Sequence, residues 1–463
     1  MPDDEPLWSG RFTKPQAPEA AALGSSIAFD VRLAPQDVEV SVVHVRGLED
    51  AGLVDADEAA ALEKALRTVG EQIAAGTFAF AAADEDVHSA IERGVTEHLG
   101  DAGAKLHAGR SRNDLVVTDL RLWLLAARGR SDAGVVRLLR SLLGHAGRHA
   151  ETVMPGTTHG HPAQPVTLGH SLLAHAWPLA RDLDRSAAWA RRASESPLGA
   201  GALVTSTLHL DPQRAAARLG FSGTFANSID AVSDRDFAQE YLAWAAILGT
   251  HLSRLAADLL RWSDPARAWV MIDDAYATGS SMMPQKRNPD VAELTRAKAG
   301  RLLGAFTTLG SVLNGLPLGY QRDLQEDKEA VFDAADTLDT VLPAIAGCIE
   351  TLRCDVEAMG RDAADPALFA TDIAEALVRS GIPFRDAHRR VGELIARLEA
   401  EGRSLAGLSA GEWREAGVPE GASLLDPARS VRARSGSGGP SPQSVRDQIA
   451  ALEARLGHRG ADA

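Results

Sequence analysis

"SRNDLVVTDLRLWLLAARGRSDAGVVRLLRSLLGHAGRHA", residues Ser111 to Ala150, is the stretch that decides the fold. Its apolar residues recur every three or four positions, the spacing of one helical face, and the run is far too long for a strand. It predicts a single rod, with Gly129 and Gly134 as the places where that rod could break.

The same pattern repeats outward from it. Val166 to Arg192, Phe237 to Trp262, Asp290 to Leu313 and Glu326 to Leu352 read as further long helices, separated by loops rich in Gly and Pro. Shorter helical spacing precedes them, in Val38, Val42 and Val45, and in Leu62, Leu66, Val69 and Ile73 after a capping Asp55. Strand alternation is almost absent, and no internal repeat is visible. The spacing therefore predicts an all-α chain in three parts with boundaries near Gly109 and Gly360: an N-terminal helical domain (1–110), a central long-helix bundle (111–360) and a C-terminal helical domain (361–463). "SGSGGPSPQ" (Ser435 to Gln443) reads as a flexible joint before a last short helix.

Composition narrows the function class. The chain has 463 residues and a formal net charge of −15 with both signs interspersed, which disfavours nucleic acid or an anionic membrane as the main partner. "MPDDEPLWSG" lacks the basic flank and apolar core of a secretion signal, and no apolar run is long enough to span a bilayer, so a cytosolic protein is expected. The two cysteines, Cys348 and Cys354, fall in a predicted helix and read as buried thiols.

Chemistry gathers in the loops. "TGSSMMPQKRNPDVAE" (Thr278 to Glu293) sets Ser280 beside Gly279, adds Lys286 and Arg287, and ends on Asn288–Pro289, a cap and first-turn proline for the next helix. Fixed cations beside a helix N-terminus suit an anion. Three other polar stretches end long helices in the same way: "HAGRSRND" (His107 to Asp114), "MPGTTHGHPAQP" (Met154 to Pro165) and "GYQRDLQEDKE" (Gly319 to Glu329). Arg112 and Asn113 supply a planar cation and an amide for carboxylate recognition, Thr158 and His159 a hydroxyl and a group titrating near neutrality, and Tyr320, Gln325 and Lys328 further donors and charge.

Seven strings then carry a resemblance: "LWSGRF" (Leu7 to Phe12), "EDVHSAIE" (Glu85 to Glu92), "AGRSRND", "SPLGAGAL" (Ser196 to Leu203), "SIDAVSDRDF" (Ser228 to Phe237), "GSSMMPQKRNPD" and "GLPLGYQRDLQEDKE". The chain resembles the argininosuccinate lyase family of the fumarase and aspartase superfamily, and "ATDIAEALVRSGIPFRDAH" and "LLDPARSV" extend the likeness toward the C-terminus. The resemblance implies reversible cleavage of argininosuccinate to arginine and fumarate without metal or organic cofactor, in a homotetramer whose sites are shared among chains. Carried over by motif, Ser280 is the base, His159 its charged partner oriented by Glu293, and Lys286 a stabilising cation. Ser26, Ser111, Arg112, Asn113, Thr158, Asn288, Tyr320, Gln325 and Lys328 contact substrate, with Asp86, His88 and Arg235 in support.

The sequence departs from the family pattern at Gly160, His161 and Pro162 after Thr158–His159, at Leu115, and at Val204–Thr205, where a small Ala-Gly pair is usual. These changes bear on the amine half of the substrate. Three rival readings stand beside the lyase: a related lyase for another N-substituted aspartate, a non-catalytic structural relative, and a metal hydrolase built on His159-x-His161. The hydrolase needs a strand before the pair and further ligands at strand ends, which a helical chain does not offer.

Rod length carries one more expectation. At ~1.5 Å per residue, a continuous helix from Ser111 to Ala150 would put Arg112 roughly 50 Å or more from the His159 loop. One chain could not then join the two, and antiparallel association of identical chains would.

Overall fold

The computed structural model describes residues 14, 16–81 and 83–459, so the string Leu7 to Phe12 lies outside the described residues. The five predicted rods are helices Arg112–Arg148, Leu168–Ala193, Asp236–Trp262, Asp290–Leu313 and Asp327–Glu350. The first spans 37 residues without interruption, through both Gly129 and Gly134. Packing explains one of these: a Cβ at Gly134 would come within 2.9 Å of Leu342. The wide apolar pattern of the rods thus wins over the local helix cost of glycine, about 1 kcal/mol.

The chain forms two compact units, and each rod gives part of its length to both. One comprises the described residues of Met1–Asp132, Asp184–Ala246 and Arg301–Leu338; the other comprises those of Ala133–Leu183, Ile247–Gly300 and Asp339–Ala463.

In the first unit, helix Ala34–Asp50 packs on helix Ala56–Ala74, which packs on helix Val87–Leu99. Asp55 caps the second of these through a reciprocal box with Glu58, as its place before the apolar run predicts. Val40, Leu115, Leu198, Leu219 and Phe221 form a buried cluster; each contributes about 1.5–3 kcal/mol by leaving water. In the second unit, Ile373, Leu377, Val391, Leu398, Trp413 and Leu424 make a separate core.

The second unit also holds the main departure from the predicted all-helical pattern. Val153–Thr158 and His161–Thr167 are antiparallel strands, with Thr158 opposite His161 and His159–Gly160 as the two-residue turn. Both turn residues have positive φ, 52° and 81°, the requirement of the tight turn whose twist matches a hairpin. Pro155, Gly156, Pro162 and Pro165 hide the two-residue strand period, which is why the stretch reads as loop.

Cys348 is on a helix as expected, but Cys354 is in a two-residue strand paired with Val270–Met271; both thiols are free. The Gly/Ser stretch before the last helix, Pro442–Arg459, is tied down rather than loose. The Thr167 hydroxyl donates to the Pro440 carbonyl at 3.2 Å, and the Trp177 indole to Gln448 at 3.1 Å. Among the described residues no helix is long and apolar enough to cross a membrane.

The Val204–Thr205 departure has a backbone consequence. Thr205 has φ 63°, a left-handed conformation that glycine adopts freely and a β-branched residue does not. Thr205→Gly is therefore expected to raise stability by about 1 kcal/mol, read as a higher urea midpoint with unchanged slope.

Candidate active site

The first unit gathers most of the predicted substrate contacts. Ser26, Arg112, Asn113, Tyr320, Gln325 and Lys328 line one small cavity, together with Asp30, Asp86, His88 and Arg322. Each is set by local structure. Asp86 caps helix Val87–Leu99 through a box with Ser89, and the same carboxylate accepts from Arg112 Nη1 at 3.1 Å, with Glu85 accepting at 3.3 Å. The Ser26 hydroxyl donates to Asp30 at 2.5 Å, while the other Asp30 oxygen accepts from the Val87 amide at 3.1 Å. Lys328 Nζ donates to Asp327 at 3.1 Å, and the buried Arg235 pairs with the second Asp327 oxygen. The Asn113 amide donates to the Ala202 carbonyl at 3.1 Å, and the Ser111 hydroxyl accepts from the Asn113 backbone.

The charge pattern suits an anionic ligand. Arg112, Arg322 and Lys328 line the cavity, each also paired with a carboxylate of Glu85, Asp86 or Asp327, and His88 adds a fourth positive charge. Burial opposes that charge, but the 2.6 Å bond to Asp37 and the carboxylates of Asp37, Asp86 and Asp119 outweigh it and push His88 up to about 9. Asp86 is held below its usual range: burial raises it, but the charges of His88 and Arg112 and the bonds from Ser89 overcome that. Burial pushes Tyr320 up, which keeps its phenol a donor.

His88 sets a pH dependence. Its folded pKa, about 9, lies above the ordinary 6.5, so its stabilisation is complete below pH 6.5 and is lost as pH rises through 9. The expected loss is on the order of 3 kcal/mol. Melting temperature should fall across that window in the parent and decline less steeply in His88→Gln.

The second unit holds the predicted chemistry. Thr278 and Asn288 pair across the neck of the serine loop through two backbone hydrogen bonds of 3.2 and 2.8 Å. The Asn288 side chain donates to the Gly279 carbonyl at 3.2 Å, so it closes the loop instead of capping the helix. Helix Asp290–Leu313 carries Asp290 and Glu293 in its first turn, which offset its positive end. Arg287 is paired with Asp274. Lys286, Asn288 and Glu293 line one groove with Gln285, Arg287 and Cys354. The Ser280 hydroxyl oxygen accepts from the amides of Met282 at 3.2 Å and Met283 at 3.0 Å, and Met282 is 87% exposed at the loop tip.

Thr158 and His159 are exposed at the hairpin tip. Among the described residues no hydrogen bond or ion pair joins His159 to Glu293 or Ser280. A strand does precede His159-x-His161, so the objection to a metal hydrolase on that ground fails. The groups of three potential metal ligands found among the described residues, His145, His149 and Cys354, and Asp37, His88 and Asp119, contain neither His159 nor His161.

Sequence reasoning missed Asp30, Asp37, Asp119 and Arg322. Asp119 was the most legible, a carboxylate within an apolar helical run; its two oxygens are buried without a hydrogen bond. Asp30 stands four residues after Ser26, a helical pairing distance.

Comparison with known proteins identifies the family. Residues 10–304 match the model of the lyase family, and residues 367–432 match that of the argininosuccinate lyase C-terminal region. The chain is 50% identical to the argininosuccinate lyase of Frankia casuarinae, covering 96% of this chain and 97% of that protein. It is 51% identical to that of Acidothermus cellulolyticus, covering 97% and 94%. Among solved structures, an EDDS lyase in complex with formate superposes with a TM-score of 0.84 at 28% identity, over 97% of this chain and 92% of that one. The fold is fumarase/aspartase-like, and the chain belongs to the argininosuccinate lyase family.

Proposed function

We propose that the chain cleaves argininosuccinate reversibly to arginine and fumarate by β-elimination, with Ser280 as the base and no metal or organic cofactor. The observation that carries the reaction is the setting of Ser280: two backbone N–H groups point at its oxygen. An ordinary serine is a very poor base, and such dipoles favour the alkoxide once water is excluded. The neck formed by Thr278 and Asn288 supports movement of the loop as a unit, open to admit substrate and closed to desolvate Ser280.

Loss of the β-proton leaves a doubly charged aci-carboxylate. Lys286 and Asn288 stabilise it, and His159 is the charged partner near the leaving nitrogen. Ser26, Ser111, Arg112, Asn113, Thr158, Tyr320, Gln325 and Lys328 hold the three carboxylates and the amine half. The cationic cavity supports this against an overall charge of −15.

We further infer a homotetramer in which one site draws residues from different chains. The support is helix Arg112–Arg148, whose 37 residues extend about 55 Å between the Arg112 loop and the turn toward the hairpin. The three-domain division (1–110, 111–360 and 361–463), a cytoplasmic location and a role in arginine biosynthesis belong to the same reading.

The test of the reaction is fumarate release, followed by ultraviolet absorbance, from argininosuccinate and then from other N-substituted aspartates. Turnover is expected with argininosuccinate. Turnover only with another aspartate would retain the chemistry and replace the substrate; none with any would support a non-catalytic relative.

A further inference from the structure

The C-terminal end of helix Arg112–Arg148 carries a group that the proposed reaction does not use. His145 and His149 are one helical turn apart on the same face, and Cys354 reaches them from the short strand paired with Val270–Met271. One ligand atom from each of the three lies within 4.8 Å of the others. His145 is 3% exposed, and its ring lies against the backbone carbonyls of Ile349 and Glu350 without a well-aligned hydrogen bond to either. His149 bonds the Thr152 hydroxyl at 3.1 Å through Nδ1, which orients the ring and leaves Nε2 available, the arrangement common in metal-bound histidines.

We propose that His145, His149 and Cys354 bind a borderline-soft divalent cation of the Zn2+ class, at a site separate from the chemistry at Ser280. Two imidazoles at helical i, i+4 spacing and a thiolate are a tetrahedral donor set, with water in the fourth position. Bond lengths of about 2.0–2.3 Å put such ligand atoms roughly 3.5 Å apart, so modest rotation of His149 and Cys354, both partly exposed, closes the set. The same two residues give the cation its entry path. On binding, the Cys354 thiol loses its proton to solvent and sulfur donates to the metal, with no change of oxidation state. Hard cations such as Mg2+ and Ca2+, which need oxygen ligands, are excluded. The nearby Arg148 opposes any weakly held cation, so the thiolate is the necessary counter-charge. Cys354 also lines the groove that contains Lys286, Asn288 and Glu293, so an occupied site braces one wall of that groove.

Cobalt is the probe. Full-length protein is stripped with a chelator, shown to be folded by circular dichroism, and titrated with Co2+. The expected result is a near-ultraviolet thiolate-to-cobalt absorption that saturates at one equivalent, and a rise in melting temperature with Zn2+. The absorption should vanish in Cys354→Ser and persist in Cys348→Ser, which alters the other thiol. His149→Gln, on the exposed side of the cluster, should weaken Co2+ binding roughly tenfold or more and guards against misfolding at the buried His145. Absence of the absorption in folded parent protein, or its persistence in Cys354→Ser, would overturn the proposal.

Discussion

Ser280→Ala is expected to lower turnover by about 10²–10⁴-fold while leaving substrate affinity and melting temperature close to those of the parent. The loss is large because the hydroxyl is assigned to proton removal, a step made only in the transition state. The structural effect is small because Ser280 sits on a loop whose tip is exposed, where the amides of Met282 and Met283 can bond to water once the hydroxyl is gone. Steady-state kinetics should therefore show kcat falling with little change in KM. Retention of more than a tenth of parent turnover, about 1.4 kcal/mol of barrier or less, would remove Ser280 from the role of base.

The rods were legible because a wide apolar stripe repeated over twenty or more residues outweighs local signals. Helix Arg112–Arg148 runs through two glycines, and Asp55 caps where its position before the apolar run requires. The hairpin was hidden by its prolines and by Gly156, although His159–Gly160 carries a recognisable turn signal. Asn288 shows a second limit. Sequence supplies the residue type at a helix start, but whether its amide caps that helix or closes the preceding loop depends on where Gly279 lies in space. The candidate site was legible as four loops, and its internal order was not. That Arg112 leans on Asp86, and that His88 is held between Asp37 and Asp119, are contacts between residues far apart in the chain. Single-sequence spacing carries no record of them.

The proposed reaction is divided between two groups of residues: the Arg112, Tyr320 and Lys328 cavity, and the loops of His159 and Ser280. The claim that these meet only across chains is tested most directly by mixing two inactive proteins. Arg112→Ala removes a substrate cation, and His159→Asn removes the charged partner; each alone is expected to lose activity by 100-fold or more, roughly the effect of losing one charged catalytic contact. When the two are unfolded and co-assembled, some sites in a mixed oligomer draw Arg112 from one chain and His159 from another, so both residues are intact there. Part of the parent activity should then return, in proportion to the fraction of mixed oligomers. The measurement is fumarate release by the re-formed mixture, with mixing verified by mass spectrometry of the intact assemblies. Recovery well above the sum of the two single variants is the predicted result. No recovery in demonstrably mixed oligomers, or full activity in a monomer at assay concentration, would contradict the shared site.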